Sequence, residues 1–345
     1  MNRFATNVSS PSRYRSELMG ICILWIMLFH SSIPKPTSFS LKILWNLFVR
    51  SGAGCGVAIF LICSGFGLTY SCINKERAGL DLDCPKYYRK RLIRILPAYL
   101  MVSASYFIIL FGSIKDVVYH LSFMSFLVEG RRYFWYILAA LFCYMVFPVF
   151  VCLKRKMNFR ITLMGLSLIA ALAAFALRFY AREVYDNIEI MLWRIPCFWM
   201  GCYYGVLDAH GKKREFYIAT ALFTGIGIAL FAVSGFSRNM YTFISPFVMT
   251  VFCALLELAR MCSLRYVGYA LKWIGGISLE LYLVHVSYGV ELSKLIFVHT
   301  GQRWISAVSY YAVSFALAIM LNFLLKSFMK WKKKSVSDSR IKKPL

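Results

Sequence analysis

The chain has 345 residues, of which 60% are apolar and only 16% are charged, and its mean hydropathy is +0.63. A soluble domain carries about 25% charged residues, so the composition excludes an ordinary soluble enzyme. The formal net charge of +25 would suit a nucleic-acid-binding protein. However, the basic residues cluster at the ends of apolar runs, as they do in membrane proteins, and we expect no nucleic-acid partner.

Apolar runs of membrane-spanning length recur along the chain. About 20 residues are needed to cross the hydrocarbon layer as a helix. Lipid offers the backbone no hydrogen-bond partners, so such runs must be helices. The predicted spans are 17–33, 52–73, 93–112, 133–153, 161–180, 190–207, 216–234, 240–259, 270–289 and 304–328. The predicted fold is therefore all-α, a polytopic membrane bundle of about ten transmembrane helices.

Lys and Arg concentrate in alternate connections between these spans; segment 74–91 alone holds six. The positive-inside rule places such connections in the cytoplasm, and it predicts that both termini are cytoplasmic. The chain divides into an N-terminal tail (1–12), a single membrane bundle (13–331) and a basic cytoplasmic tail (332–345). We expect the basic tail to contact anionic lipid headgroups.

Two histidines lie inside predicted spans: His30 in the first and His285 late in the ninth, 270–289. Ionisable side chains at membrane depth are costly and indicate function by default, and imidazole suits proton transfer near neutral pH. Both spans run outward, so we expect both histidines near the outer ends, facing one cavity. The outer connections 34–51 and 113–132 would shape its mouth. The alternative is that each histidine only bonds a neighbouring carbonyl.

A basic cluster opens the third span, where Arg91 and Arg94 lie three residues apart on one helix face. Guanidinium groups bind phosphate oxygens through paired hydrogen bonds. The cluster therefore predicts an anion site on the cytoplasmic side. The alternative is a flank of basic residues that reach the lipid headgroups.

Further polar residues lie in apolar surroundings. Arg194 begins the sixth span and needs an anion or carbonyl partner. Glu280 precedes His285 by five residues and lies on another face of the helix, whereas Ser278 shares the face of His285. We expect Glu280 to pair with an arginine of another helix, either Arg94 or Arg194. Glu257 in the eighth span has the same two interpretations, an ion pair or a catalytic group.

Aromatic and sulfur-containing residues give weaker signals. Trp135 and Tyr136 lie at the predicted outer mouth, where they would stack on sugars or form an interfacial belt. The eleven cysteines are scattered, without a C-x-x-C pair. We therefore expect small buried side chains, with no disulfide framework and no metal site.

Taken together, these segments resemble the acyltransferase 3 family of integral-membrane acyltransferases. The matching pieces are Leu28–His30, Gly56–Phe66, Tyr88–Pro97, Phe134–Trp135 with Tyr144 and Pro148, Arg194–Gly201 and Ile277–His285. The resemblance runs from about Arg15 to Phe328. Each piece is weak alone, but their order and spacing make the match specific.

The resemblance implies transfer of an acyl group, often acetyl from cytoplasmic acetyl-CoA, to a hydroxyl of an extracytoplasmic or lipid-linked glycan, with no bound cofactor. His30 matches the essential first-helix histidine and would act as general base, or carry the acyl group transiently. Arg91 and Arg94 match the basic pair that contacts the donor. His285 or Arg194 would stabilise the oxyanion or orient the acceptor. The expected location is the plasma membrane of a bacterium.

One position departs from the family pattern. Members usually carry Arg or Lys eleven residues before the essential histidine, and here that position is Met19. Arg15, one turn earlier and offset by about 40°, is a candidate substitute, or the donor is held differently.

The competing function is a proton-coupled transporter or flippase with His30 and His285 as a proton relay. Such proteins often contain inverted repeats with paired broken helices, and the sequence shows no such symmetry.

Overall fold

The computed structural model describes residues 11–156, 158–235 and 238–341, and all regular structure within them is helical. In chain order the helices are α1 (Pro11–His30), α2 (Phe39–Arg77), α3 (Cys84–Phe111), α4 (Ile114–Leu121), α5 (Met124–Glu129), α6 (Trp135–Lys156), α7 (Phe159–Tyr180), α8 (Arg182–Leu192), α9 (Ile195–Ala209), α10 (Lys213–Ser234), α11 (Arg238–Met261), α12 (Arg265–Gly276), α13 (Ser278–Val284), a π-helical turn (His285–Gly289), α14 (Val290–Thr300) and α15 (Arg303–Ile341). The predicted all-α class is confirmed.

Every predicted span contains helix, but not every helix meets the length and hydropathy expected of a membrane span. In the described part of the chain, seven segments do: Phe39–Arg77, Cys84–Phe111, Trp135–Leu153, Lys213–Val233, Met240–Met261, Ser278–Thr300 and Arg303–Lys330. The remaining predicted spans correspond to α1, α7 and α9. The count of ten and the cytoplasmic termini stay predictions.

The two predicted tails lie partly outside the described residues. Residues 1–10 of the N-terminal tail are outside them, and Pro11 already begins α1. Most of the basic tail, up to Ile341, continues α15 as helix, and residues 342–345 lie outside the described range.

The predicted outer connections are shorter than expected. The prediction of a loop over 34–51 is wrong for most of its length, because α2 begins at Phe39. No proline or glycine interrupts the sequence between Phe39 and Ser51, so nothing ends the helix there. The connection 113–132 likewise contains the short helices α4 and α5.

The predicted ninth span is also corrected, because helix breaks at Ile277 instead of continuing through 270–289. The pair Gly275 and Gly276 weakens the helix at this point. A Cβ on Gly275 would lie 1.8 Å from the Ser16 carbonyl oxygen, so α12 touches the backbone of α1. The spanning segment is Ser278–Thr300. His285 is therefore the eighth residue of this segment, and its depth in a membrane stays a prediction.

Close backbone contact between α2 and α9 forms the centre of the bundle. A Cβ on Gly65 would lie 2.1 Å from the Phe198 carbonyl oxygen, and one on Gly201 would lie 2.1 Å from that of Ile62. Glycine at these positions lets the two helix backbones approach closely. On its other side α2 receives α1, whose Trp25 packs over Gly52. These contacts fix the helix that carries His30.

Replacing Gly201 with Ala is expected to destabilise the protein by about 1–3 kcal/mol, because the added methyl group forces α2 and α9 apart. The measurement is the thermal unfolding midpoint of the purified protein in detergent. Gly268→Ala is the matched control, since no atom lies within 4 Å of a Cβ there. Equal midpoints for the two variants would show that the α2–α9 contact does not limit stability.

Candidate active site

The two histidines of the predicted spans lie side by side. His30 is the last residue of α1 and His285 is the first of the π-helical turn, and their ring centroids are 5.5 Å apart. His30 is exposed, whereas His285 is completely buried. The accessible ring can contact a substrate, and the buried ring lies directly behind it.

One nitrogen of His285 is held by the backbone. Nδ1 lies 2.8 Å from the Leu281 carbonyl oxygen. A carbonyl only accepts, so Nδ1 carries the hydrogen, and Nε2 of the neutral ring keeps a lone pair. Among the described residues Nε2 has no hydrogen-bond partner. The alternative that the histidine bonds a neighbouring carbonyl therefore holds for Nδ1 of His285, while Nε2 stays available to accept a hydrogen bond. The π-helical turn that begins at His285 is consistent with a functional role of this residue, since such turns occur often at functional sites.

A cavity of about 400 Å³ lies between α1, α2, α3, α6, α12 and α13. Along α2 it extends from Ser71 to Val57, a rise of about 21 Å, so it is long relative to its volume. Arg15, Arg91 and Arg94 line the half of the cavity nearer the start of α1, and Ser278 and Met19 are also part of its wall. The structure therefore brings the three predicted donor-binding arginines to one cavity.

Aromatic side chains close the far end of this cavity. Tyr136 lies between Phe60, at 5.9 Å, and Tyr282, at 5.1 Å between ring centroids. The Tyr282 ring in turn contacts that of His285 at 5.7 Å. One aromatic side chain therefore separates the cavity from the buried histidine. His30 lies one helical turn beyond Ile26, which lines the same end.

Of the two aromatic residues predicted at the outer mouth, Tyr136 lines the cavity and Trp135 does not. Tyr136 is buried inside the bundle at the closed end of the cavity. Its neighbour Trp135 is half-buried and packs against the hydrophobic core without lining the cavity. Buried and half-buried positions alternate at the start of α6, so the neighbouring side chains Trp135 and Tyr136 lie in different surroundings.

Arg94 is paired with a buried carboxylate. Its Nη1 and Nη2 donate to the two carboxylate oxygens of Glu280 at 2.6 and 3.1 Å. Asn322 Nδ2 donates to Glu280 Oε1 at 3.2 Å. Glu280 is completely buried, so this pair joins α3, α13 and α15. The expectation that Glu280 pairs with Arg94 or Arg194 is confirmed for Arg94. Asn322 was missed, although an amide within the apolar run 304–328 could have signalled it.

Arg15 and Arg91 keep their positive charge uncompensated. The ion pairs of the described residues leave neither with a carboxylate partner. The Arg91 guanidinium lies 5.9 Å from the Tyr87 ring centroid and 5.8 Å from that of Tyr144. These cation–π contacts hold it in place without neutralising it. Together the two arginines make the cavity attractive to anions.

Two other predicted residues belong to the helix packing. Arg194 is buried and donates from Nη1 to Thr242 Oγ1 at 3.0 Å, which links the start of α9 to α11. It is not among the residues that line the 400 Å³ cavity. Glu257 accepts hydrogen bonds from Tyr14 and Arg260, so its ion-pair interpretation holds.

The cysteines form no disulfide, and eight of the eleven are buried. No group of three or more His, Cys, Asp or Glu side chains that could hold a metal ion occurs in the described ranges.

The sequence matches the family model for the acyltransferase domain Acyl_transf_3 over residues 18–323, which is nearly the whole chain. The chain belongs to the acyltransferase 3 family. The matched range includes His30, Arg91, Arg94 and His285, whereas Arg15 lies just before it. No curated protein and no solved structure matches the chain. Membership of the acyltransferase 3 family, with seven helices able to span a membrane, supports a multi-pass membrane protein with acyltransferase activity.

Proposed function

We propose that this protein transfers an acyl group, with acetyl as the first candidate, from cytoplasmic acyl-CoA to a hydroxyl of an extracytoplasmic or lipid-linked glycan in the plasma membrane of a bacterium. The observation that carries the proposal is the long cavity. It begins among Arg15 and Arg91 and ends at aromatic rings beside the histidine pair. Its shape suits a linear arm with an anionic head.

The charges of the cavity suit such a donor. Phosphate groups would bind at the cytoplasmic end, where Arg15, Arg91 and Arg94 lie. Because Glu280 balances the charge of Arg94, Arg15 and Arg91 supply the net positive charge there. In this assignment Arg15 takes the role that a basic residue at the Met19 position has in other members of the family. The pantetheine arm would then follow the cavity toward Tyr136 and Tyr282.

The chemistry assigned to the histidines balances without an external proton. His30 removes the proton of the acceptor hydroxyl, and the oxygen attacks the thioester carbonyl. Collapse of the tetrahedral intermediate breaks the carbon–sulfur bond, and the thiolate takes a proton back from the His30 imidazolium. While Nδ1 of His285 donates to Leu281, its Nε2 can only accept. His285 is therefore better suited to orient His30 or the acceptor hydroxyl than to stabilise an oxyanion.

The experiment that tests the proposal compares cells that lack this protein with cells complemented by the wild type. Ester-linked acetyl on surface glycans is measured, together with acyl-CoA-dependent release of free CoA by isolated membranes. We expect both signals to depend on the protein. If CoA release depends on the protein but glycan acetylation does not, the glycan acceptor is excluded. If neither signal depends on the protein, acyl transfer is excluded.

Replacing Tyr136 with Ala is expected to widen the range of acyl groups that are accepted, because its ring closes the end of the donor cavity. One methylene in an apolar pocket changes selectivity by about 10–200-fold. The ratio of kcat/KM for butyryl-CoA to that for acetyl-CoA should therefore rise at least about 10-fold. Trp135→Ala, one residue away and outside the cavity, should leave the ratio unchanged. A ratio that moves equally in both variants would contradict this role.

A further inference from the structure

A second cavity, of about 460 Å³, lies beside the first, at the end where Arg15 lies. It is formed by the start of α1, the last turns of α2 and the segment that follows α2. Arg15, Gly67 and Ser71 line both this cavity and the 400 Å³ cavity. The two cavities therefore adjoin, and Arg15 lies at their junction.

The second cavity is positively charged. Arg15 and Lys75 line it, and no carboxylate is among its lining residues. A smaller cavity of about 150 Å³ shares Lys75 and adds Lys86, Lys90 and Arg91. Its single carboxylate is Asp83, which caps α3 by accepting a hydrogen bond from the Lys86 backbone at 2.9 Å. Such an excess of cations suits a ligand with more than one phosphate group.

An aromatic ring and an amide complete the lining. The Tyr70 ring stacks on that of buried Phe66, with centroids 5.9 Å apart and planes inclined by 7°. Phe66 thereby fixes the orientation of Tyr70, which is half-buried. Asn74 lies one helical turn further along the same face of α2, and its amide both donates and accepts hydrogen bonds. A flat ring beside an amide suits a nucleobase, which is bound by stacking and by hydrogen bonds to its edge.

Gly67 determines where the Arg15 guanidinium lies. A Cβ at this position would be 1.9 Å from Arg15 Nη1. Only glycine leaves room for the guanidinium to lie against the α2 backbone between the two cavities. Gly67 is thus a positioning residue for the cation at the junction.

We propose that the 460 Å³ cavity binds the adenosine 3′-phosphate 5′-diphosphate end of the donor, while the pantetheine arm continues into the 400 Å³ cavity. Tyr70 stacks on the adenine, Lys75 binds the 3′-phosphate and Arg15 binds the diphosphate at the junction. This inference rests on the proposed use of acyl-CoA. It adds a nucleotide site on α2 to the cation cluster on α3.

The test measures binding of CoA, dephospho-CoA and 4′-phosphopantetheine by calorimetry to the full chain in nanodiscs of neutral lipid. We expect the wild type to bind CoA at least about 10-fold more tightly than phosphopantetheine. Tyr70→Ala should reduce this difference without weakening phosphopantetheine binding. Lys75→Gln should remove the preference for CoA over dephospho-CoA. Gly67→Ala should weaken all three ligands, because it displaces the cation at the diphosphate.

Matched controls separate local effects from general ones. Lys272→Gln removes a charge on α12 outside these cavities, and Gly268→Ala adds a methyl group in open space. Both should bind like the wild type. Equal wild-type affinity for CoA and phosphopantetheine would overturn the nucleotide site while leaving acyl-CoA as donor. Binding of neither would overturn the donor itself. Displacement of CoA by phosphatidylglycerol, with no effect of Tyr70→Ala, would assign the cavity to a lipid headgroup instead.

Discussion

Replacing His30 with Gln is expected to lower the rate of acyl transfer by about 10²–10⁴-fold, because the general base is lost. CoA binding should stay at the wild-type level, since His30 does not line the donor cavity. The measurement is kcat for transfer from acetyl-CoA, with CoA affinity determined separately by calorimetry. A fall in kcat without a change in affinity places His30 at the reacting atoms.

Two further histidine variants sharpen this result. His299→Gln is the matched control, because that ring is exposed near the end of α14 and bonds only the Leu295 carbonyl. It should behave like the wild type. His285→Gln should lower kcat less than His30→Gln does, because His285 acts through His30 or the acceptor. Wild-type activity in His30→Gln would remove the histidine from the mechanism, and loss of CoA binding would make its role structural.

The sequence was sufficient to predict that the histidines meet, for a simple physical reason. Both lie in apolar runs that the positive-inside rule orients the same way. Helix packing then had only to place these two helices next to each other. The break between α12 and α13 was not predictable, and it lies where Gly275 packs against the Ser16 carbonyl. A glycine pair permits such a break, but only the neighbouring helix decides whether it occurs.

For the buried polar residues, too, the sequence predicts one part of the structure and not the other. An arginine or carboxylate in an apolar run must be compensated, and this requirement is visible in the sequence. The partner itself is not, because it comes from another helix. Glu280 forms an ion pair with Arg94, one of the two arginines that we expected, whereas Arg194 donates a hydrogen bond to the hydroxyl of Thr242. The cavities depend on several helices at once, and no local pattern could predict them.

Replacing Arg94 with Leu is expected to destabilise the protein by about 3–5 kcal/mol, because it leaves the Glu280 carboxylate buried without a cation. The reverse change, Glu280→Leu, should cost less. The Glu280 side chain is 0% exposed, whereas that of Arg94 is 46% exposed. In Glu280→Leu the unpaired Arg94 guanidinium is therefore hydrated in the cavity. The double variant Arg94→Leu/Glu280→Leu should recover most of the loss. The measurement is a double-mutant cycle of unfolding free energies in detergent.

Asn322 and an exposed ion pair provide the comparisons for this cycle. Asn322→Leu removes one hydrogen bond to the carboxylate and should cost about 1.5–3 kcal/mol. Glu291→Leu breaks the exposed pair with Lys294 and should be nearly neutral. Additive effects of the Arg94 and Glu280 changes would contradict a coupled buried pair. Because the double variant is expected to fold, its CoA affinity isolates the contribution of Arg94 to donor binding. A small loss of CoA affinity in the double variant would leave Arg15 and Arg91 as the main phosphate contacts, as their uncompensated charges predict.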